Sequence, residues 1–158
     1  MRHTISVLVE NKFGVLARIA TLFAARGFNI DSLAVGETEN PDVSRMTIVV
    51  RGDDRILEQV EKQLNKLVDV IKVSDFLDTS HIERDLMLIK VKVDKVNRSE
   101  ILQIADVFRA NIVDVSSESV IIEVTGDEDK LDALIKLLRP FGIKEMVRTG
   151  VVAIARGK

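Results

Sequence analysis

One order of hydrophobic patterns occurs twice along the chain and constrains the fold more than any other feature. Strand-like stretches alternate apolar and polar residues, and helix-like stretches repeat apolar residues every three or four positions. Residues 1–77 show these patterns in the order βαββαβ, and residues 78–158 repeat that order with little sequence in common. A βαββαβ unit folds as an antiparallel four-stranded sheet with both helices on one face. The sequence therefore predicts an α+β protein with two ferredoxin-like domains, 1–77 and 78–158.

The predicted elements follow directly from the patterns. In the first domain we expect four strands and two helices, namely strands at 3–9, 29–36, 45–50 and 70–76 and helices from Val15 to Gly27 and from Asp53 to about Leu67. After a polar linker at 78–81, the second domain is predicted to have strands at 86–93, 112–115, 120–124 and 143–155, the last interrupted at Gly150, and helices at 99–110 and 127–138.

In this topology one face of each predicted sheet carries no helix. A bare apolar sheet face is a liability in water. Two such units in one short chain therefore predict a homodimer or higher homo-oligomer, whose interfaces build the functional site.

Composition narrows the function. Net charge is −2 with no basic run, and the six aromatic residues are all Phe, which disfavours nucleic-acid binding. No apolar run is long enough to span a bilayer, and the N-terminus lacks the apolar block of a signal peptide. There is no Cys, and His3 and His81 have no companions at metal-ligand spacing. We expect a cytoplasmic protein without a catalytic site, a metal site or a membrane partner.

The stretch from Glu10 to Ile30 is the strongest candidate for ligand binding. Asn11 and Gly14 lie in the turn between the first strand and the first helix, where free N–H groups and the helix dipole favour a carboxylate. The Asn11 amide oxygen is an acceptor for an ammonium group, so the turn suits a zwitterionic amino acid. Taken alone, the motif is more often an ordinary helix N-terminus.

Asn29 begins the second strand, which this topology places at the sheet edge. Across a dimer that edge can meet the Asn11 turn of the partner and complete one pocket. The alternative is a plain helix-to-strand loop. Arg18 and Arg45 are further candidates for holding a carboxylate, although such residues are more often solvated or paired.

Several stretches of this chain resemble a known family. The runs at 9–16 and 22–33 look like an ACT domain, and most of the chain resembles the small regulatory subunit of acetolactate synthase. The further stretches that carry the second resemblance are 44–47, 59–70, 83–91 and 148–153.

The resemblance implies a regulatory subunit rather than an enzyme. It implies that valine binds at an ACT dimer interface, causing feedback inhibition, and that the chain activates a catalytic subunit in branched-chain amino acid biosynthesis. It also implies no cofactor on this chain, with thiamine diphosphate, Mg and FAD on the catalytic subunit. Carried over by motif, the effector-binding residues are Asn11, Gly14, Val15 and Leu16 from one copy and Asn29 and Ile30 from the other.

Two positions depart from the usual ACT pattern: Phe13 is bulky for this loop, and Thr21 stands where glycine is common. Phe13 would narrow the pocket, so the resemblance fixes the site more firmly than the preferred effector.

Three other functions stay open on the sequence. A freestanding ACT-type sensor would share the pocket but recover no thiamine-diphosphate enzyme in a pull-down. An acyl-phosphatase-type enzyme would need an anion-binding loop that the sequence lacks. An RNA-binding module would need aromatic residues on its central strands, where Ile5, Val7, Met46 and Ile48 stand instead.

Overall fold

A computed structural model describes residues 1–157 of the chain, and these residues form two compact units. The first unit contains residues 1–82 together with 151–157, and the second contains residues 83–150. The predicted domains divided the chain after residue 77 instead. In the structure the first unit continues to Ile82 and also includes the C-terminal segment from Val151, which the sequence patterns placed in the second domain.

The first unit is built on an antiparallel sheet with strand order β2-β3-β1-β4. Its elements are β1 (Arg2–Glu10), α1 (Val15–Arg26), β2 (Asn29–Glu37), β3 (Val43–Arg51), α2 (Asp54–Asn65) and β4 (Val70–Asp75), with the C-terminal strand numbered β9 (Val152–Ala155). Phe23 of α1 and Leu64 of α2 pack in one core with Ile5 of β1 and Ile48 of β3, so both helices cover the same face. The predicted βαββαβ topology and the edge position of β2 are confirmed.

The second unit repeats this arrangement with strand order β6-β7-β5-β8. Its elements are β5 (His81–Lys92), α3 (Arg98–Val107), β6 (Asn111–Val115), β7 (Ser119–Gly126), α4 (Glu128–Leu138), a short 3-10 helix (Arg139–Phe141) and β8 (Ile143–Arg148). The first two residues of β5 belong to the first unit. Ile101 of α3 and Leu134 of α4 are fully buried against Ile89 and Ile122 of the sheet. β5 begins at His81, five residues earlier than predicted, so part of the expected linker is strand.

The first sheet is not bare on the face opposite its helices, contrary to our expectation. Ser6, Thr47 and Val49 point to that face, yet each is at most 3% exposed. The C-terminal segment covers this region: Val151 is buried, and its backbone N–H donates to the Ser32 hydroxyl at 2.9 Å. A prediction from topology alone missed this cover because the segment is distant in sequence from the strands it protects.

Among residues 1–157, no helix is long and apolar enough to cross a membrane. The same residues contain no group of three or more His, Cys, Asp or Glu side chains placed to hold a metal ion.

Candidate functional site

The start of α1 is a helix N-terminus without a side-chain cap. The chain leaves β1 at Glu10, and Gly14 takes a left-handed conformation (φ 86°, ψ −6°) just before Val15 begins the helix. Arg18 N–H donates to the Gly14 carbonyl at 3.0 Å, which closes the first turn. No side chain caps this end, and the first turn contains no acidic residue. Val15 N–H donates to the Lys12 carbonyl at 3.4 Å, whereas the next two N–H groups, of Leu16 and Ala17, have no acceptor within residues 1–157. These groups are available, and the helix dipole favours an anion there.

The backbone favours glycine at position 14, because its positive φ is strained for residues with a Cβ. Space is not the reason, since a Cβ at this position would be in ordinary contact, 3.5 Å from Nη1 of Arg18. Arg18 itself is paired with Asp69, with Nε at 2.8 Å and Nη2 at 2.6 Å from Oδ2. The charge of the guanidinium beside the helix start is thus balanced by Asp69.

Asn11 is fixed to the β2–β3 turn. Its backbone N–H donates to the Asp42 carbonyl at 2.7 Å, and its side-chain Nδ2 donates to the Pro41 carbonyl at 2.8 Å and to Glu37 Oε1 at 3.3 Å. Both side-chain hydrogen bonds use the amide nitrogen. Within residues 1–157 neither bond uses the amide oxygen, and its role as an acceptor for an ammonium group stays a prediction.

The two apolar residues predicted at the helix start face different environments. Val15 is buried in the core of the first unit, so its side chain is not available to a ligand and only its backbone borders the turn. Leu16 is 45% exposed, and Phe13 is fully exposed at the tip of the turn. Leu16 and Phe13 are therefore the apolar side chains that this half-site presents.

The other predicted half-site lies at the far end of the same sheet. Asn29 pairs with Arg51 of β3, which pairs in turn with Arg2 at the start of β1, whereas Asn11 follows the last residue of β1. A nine-residue strand spans roughly 25–30 Å, so one chain does not bring the two asparagines together. Asn29 is exposed, with Nδ2 3.2 Å from Asp31 Oδ1, and Ile30 is half-buried against the core.

Three residues beside Asn11 were missed by the sequence analysis. Glu37, Pro41 and Asp42 hold its amide and backbone through the bonds given above. The sequence marked Asn40-Pro41-Asp42 as a turn. Nothing in that local pattern indicates which loop the turn will contact, because the contact depends on the pairing of β1 with β3.

Comparison with known proteins gives consistent results for both parts of the chain. Residues 5–72 match the model of the AHAS small subunit-like ACT domain, and residues 84–157 match the model of the small subunit of acetolactate synthase.

Relatives match over nearly the full chain. A probable acetolactate synthase small subunit of Archaeoglobus fulgidus is 62% identical over 157 residues, covering 99% of this chain and 98% of the relative. The acetolactate synthase small subunit of Aquifex aeolicus is 57% identical over 98% of this chain and 81% of its own length. The crystal structure of the acetolactate synthase small subunit from Thermotoga maritima superposes with a TM-score of 0.92 at 48% identity, covering 100% of this chain and 99% of that one.

Proposed function

Because the chain belongs to the family of acetolactate synthase small subunits, we propose that it binds valine between the ACT domains of two copies and makes a catalytic subunit sensitive to this end product. Family membership makes the chain a regulatory subunit that works with a catalytic large subunit. Beyond family membership, we propose that valine is the effector, that the chain forms a dimer, and that it both activates the catalytic subunit and confers feedback inhibition on it. It also assigns thiamine diphosphate, Mg and FAD to the catalytic subunit and no cofactor to this chain.

The observation that supports the effector site most directly is the uncapped start of α1. The free N–H groups around Gly14 suit the carboxylate of an amino acid, because backbone donors and the helix dipole both favour an anion. The Asn11 amide oxygen suits the ammonium group, and the Glu37 carboxylate beside that amide adds negative charge. Exposed Leu16 provides an apolar contact for a branched side chain.

The geometry of β2 favours a site shared between two copies. β2 is an edge strand, with Leu33 and Val35 exposed on it. If two such edges pair antiparallel about a two-fold axis, the start of one β2 lies beside the end of the other. That pairing brings Asn29 of the partner subunit to the level of Glu37, whose carboxylate contacts Asn11. The two half-sites that are separated within one chain would then meet.

Regulation follows from linkage. An effector shifts an equilibrium only by the difference in its affinity for the two states. A pocket made from two copies supplies such a difference, because valine binds strongly only when both half-sites are correctly placed. Valine thereby stabilises one arrangement of the small-subunit dimer, and the catalytic subunit responds to that arrangement.

The experiment is calorimetric titration of valine into the wild-type protein, Gly14→Asp and Gly14→Ala. Both variants carry the strain of a Cβ at positive φ, but only Asp adds a carboxylate that competes for the helix N–H groups and repels the effector's carboxylate. We expect Gly14→Asp to weaken binding at least about tenfold more than Gly14→Ala, a difference of roughly 1.4 kcal/mol or more.

Thermal unfolding of both variants serves as the control for folding. Equal valine affinity in the wild type and Gly14→Asp would refute the assignment of the site. Saturable binding to the wild type that both variants lose equally would indicate that backbone strain, rather than the carboxylate-binding helix start, explains the loss.

A further inference from the structure

A second feature of the first unit lies on the sheet face opposite the helices, beside the segment that covers it. Here a pocket of about 230 Å³ opens between the end of β2, the first half of β3 and the start of β9. We call it the Arg45 pocket. Its lining includes Gly36, Arg45, Thr47, Val152 and Ala153, and Glu37 also borders it.

Arg45 is a half-buried cation that lacks a carboxylate partner. Its Nη1 donates to the Ser6 hydroxyl at 2.6 Å, and none of the ion pairs within residues 1–157 includes it. Arg51 lies on the same strand and the same face, yet its Nε is 2.6 Å from Asp31 Oδ2. Partial burial removes water from a guanidinium, and hydrogen bonds to a carboxylate compensate better than one hydroxyl does.

The pocket has room for such a partner because the residue across from Arg45 on β2 is Gly36. A Cβ built at Gly36 would meet nothing within 4 Å. The nearest acid along the strand is Glu37, but alternation along β2 places its side chain on the helix face, where it contacts Asn11. Arg45 is thus the charged side chain that defines this pocket, and the space in front of it is empty of protein.

The C-terminal segment makes one side of the pocket apolar. Val152 lines the pocket and is 50% exposed, and Ile154 of the same strand, outside the lining, is 60% exposed. A half-buried arginine beside exposed aliphatic side chains is typical of an interface anchor, because these side chains exclude water from a charge pair formed there.

We propose that the Arg45 pocket receives an acidic side chain of the catalytic subunit. This inference takes the catalytic subunit as the partner from the proposed function and nothing else. The acidic group is chosen because its charge complements that of Arg45. The unpaired guanidinium requires a carboxylate, and the exposed aliphatic side chains require an apolar surface beside it. A protein segment supplies both.

The Arg45 pocket and the proposed effector site share the hairpin formed by β2 and β3. Gly36 forms the floor of the pocket, and the adjacent Glu37 and the following turn residue Pro41 hold the side chain of Asn11. A shift of this hairpin on effector binding therefore changes the position of Arg45, and docking changes the position of Asn11. Such coupling is reciprocal.

The test uses full-length Arg45→Gln and Gly36→Val with the catalytic subunit of acetolactate synthase. Gln keeps a donor for Ser6 but removes the charge. Val suits a strand and fills the empty space without backbone strain. Arg55→Gln is the matched control, because Arg55 is 87% exposed on α2 and pairs only weakly with Asp53. Binding is measured directly by biolayer interferometry and through the small-subunit concentration that half-activates the catalytic subunit.

We expect both pocket variants to weaken subunit binding about tenfold or more, as loss of an arginine anchor does, and Arg55→Gln to bind as the wild type. Valine titration of the isolated small subunit should remain unchanged in Arg45→Gln and Arg55→Gln. Unchanged subunit binding by both pocket variants overturns the proposal. Loss of the homodimer by the pocket variants in sedimentation also overturns it, because the pocket would then bind a second copy of this chain. Loss of valine binding by Arg45→Gln with subunit binding intact overturns it as well. A wild type that binds no valine refutes the effector proposal alone, because docking is read separately.

Discussion

The turns that precede the first helix of each unit differ in the side chains that bind their backbone, although neither helix has a side-chain hydrogen bond from its N-cap residue. In the second unit, the turn before α3 satisfies its own backbone: Asp94 Oδ1 accepts from the N–H groups of Val96 and Asn97 at 2.8 and 2.9 Å, and Asn97 Oδ1 accepts from Asp94 N–H at 2.8 Å. Glu100 adds negative charge in the first turn of α3. In the first unit, α1 begins after Gly14 with no acid in its first turn.

This difference distinguishes a structural turn from a candidate binding turn. Both turns connect the first strand of a βαββαβ unit to its first helix, so topology does not explain why one is closed and the other open. Unsatisfied donors at a helix start cost stability unless water or a ligand binds them. Of the two helix starts, that of α1, with no acid in its first turn, is therefore the one that fits the proposed anion-binding role.

A similar contrast exists between two ion pairs. Asp85 in the second unit is 4% exposed and receives Nε and Nη2 of Arg148 at 3.0 and 2.8 Å, together with the Thr149 hydroxyl at 3.2 Å. In the first unit, the Arg18 side chain that pairs with Asp69 is 51% exposed. The second unit thus depends on a buried polar cluster, whereas the first has its ion pair at the water-exposed helix start.

The largest expected effect comes from breaking the buried cluster. Asp85→Ala leaves Arg148 without its main partner in a largely dry site, so we expect a loss of about 3–5 kcal/mol in the free energy of unfolding. Asp69→Ala is the matched change at the exposed pair and should cost less than about 1 kcal/mol. The chain contains no Trp or Tyr, so urea unfolding is followed by circular dichroism.

Equal destabilisation by the two substitutions would contradict the contrast between the buried ion pair of the second unit and the exposed ion pair of the first. Valine affinity provides a further check. Asp85→Ala acts on the unit that contains no proposed effector residue, so any folded fraction should bind valine as the wild type does.

An intermediate effect is expected at the closed helix start. Asp94→Ala removes the acceptor of two backbone N–H groups before α3, which should cost about 1 kcal/mol, the usual value for a lost cap. Urea unfolding measures the loss, and calorimetry should show valine affinity unchanged. Loss of valine binding in this variant would show that the turn before α3 is functionally equivalent to the turn before α1.

Much of the fold was predictable from local patterns. The apolar stripe from Val15 to Phe23 and the stop at Gly27 gave α1 with its observed ends, because helix periodicity and a left-handed C-terminal glycine are both local signals. The early start of β5 at His81 was missed, since the stretch before Leu86 alternates polar residues with few apolar ones. The covering of Ser6 and Thr47 was missed because the cover comes from residues more than 100 positions away.

The candidate site was predictable to a smaller extent. Asn11 and Gly14 were identified because a glycine and an amide in a strand-to-helix turn carry a known chemical preference. Val15 was included by motif, yet its side chain belongs to the core. Arg45 was recognised only as a possible carboxylate ligand, and its partner Ser6 and the space above Gly36 depend on strand register, which no single stretch of sequence encodes.

The first unit also contains a carboxyl pair between α2 and β4. Glu61 Oε1 is buried, and among residues 1–157 it has no hydrogen-bond donor when both acids are ionised. Burial, followed by the neighbouring Asp75 and Glu58, raises the pKa of Glu61 from 4.5 to about 7. The hydrogen bond from Glu61 lowers the pKa of Asp75, and His3 contributes in the same direction. Protonated Glu61 thus donates to ionised Asp75.

This pair should produce the smallest of the expected effects, because it is only partly buried. The folded state holds a proton on Glu61 that the unfolded chain releases between about pH 4.5 and 7, so stability falls as pH rises through this interval. Glu61→Gln donates to Asp75 at every pH and should remove the decline. The lowered pKa of Asp75 acts at lower pH, because its contribution is lost only below its ordinary value of 3.8. Urea unfolding of the wild type and Glu61→Gln at pH 5, 6, 7 and 8 measures the difference, and parallel curves would show that Glu61 is already ionised in the folded protein.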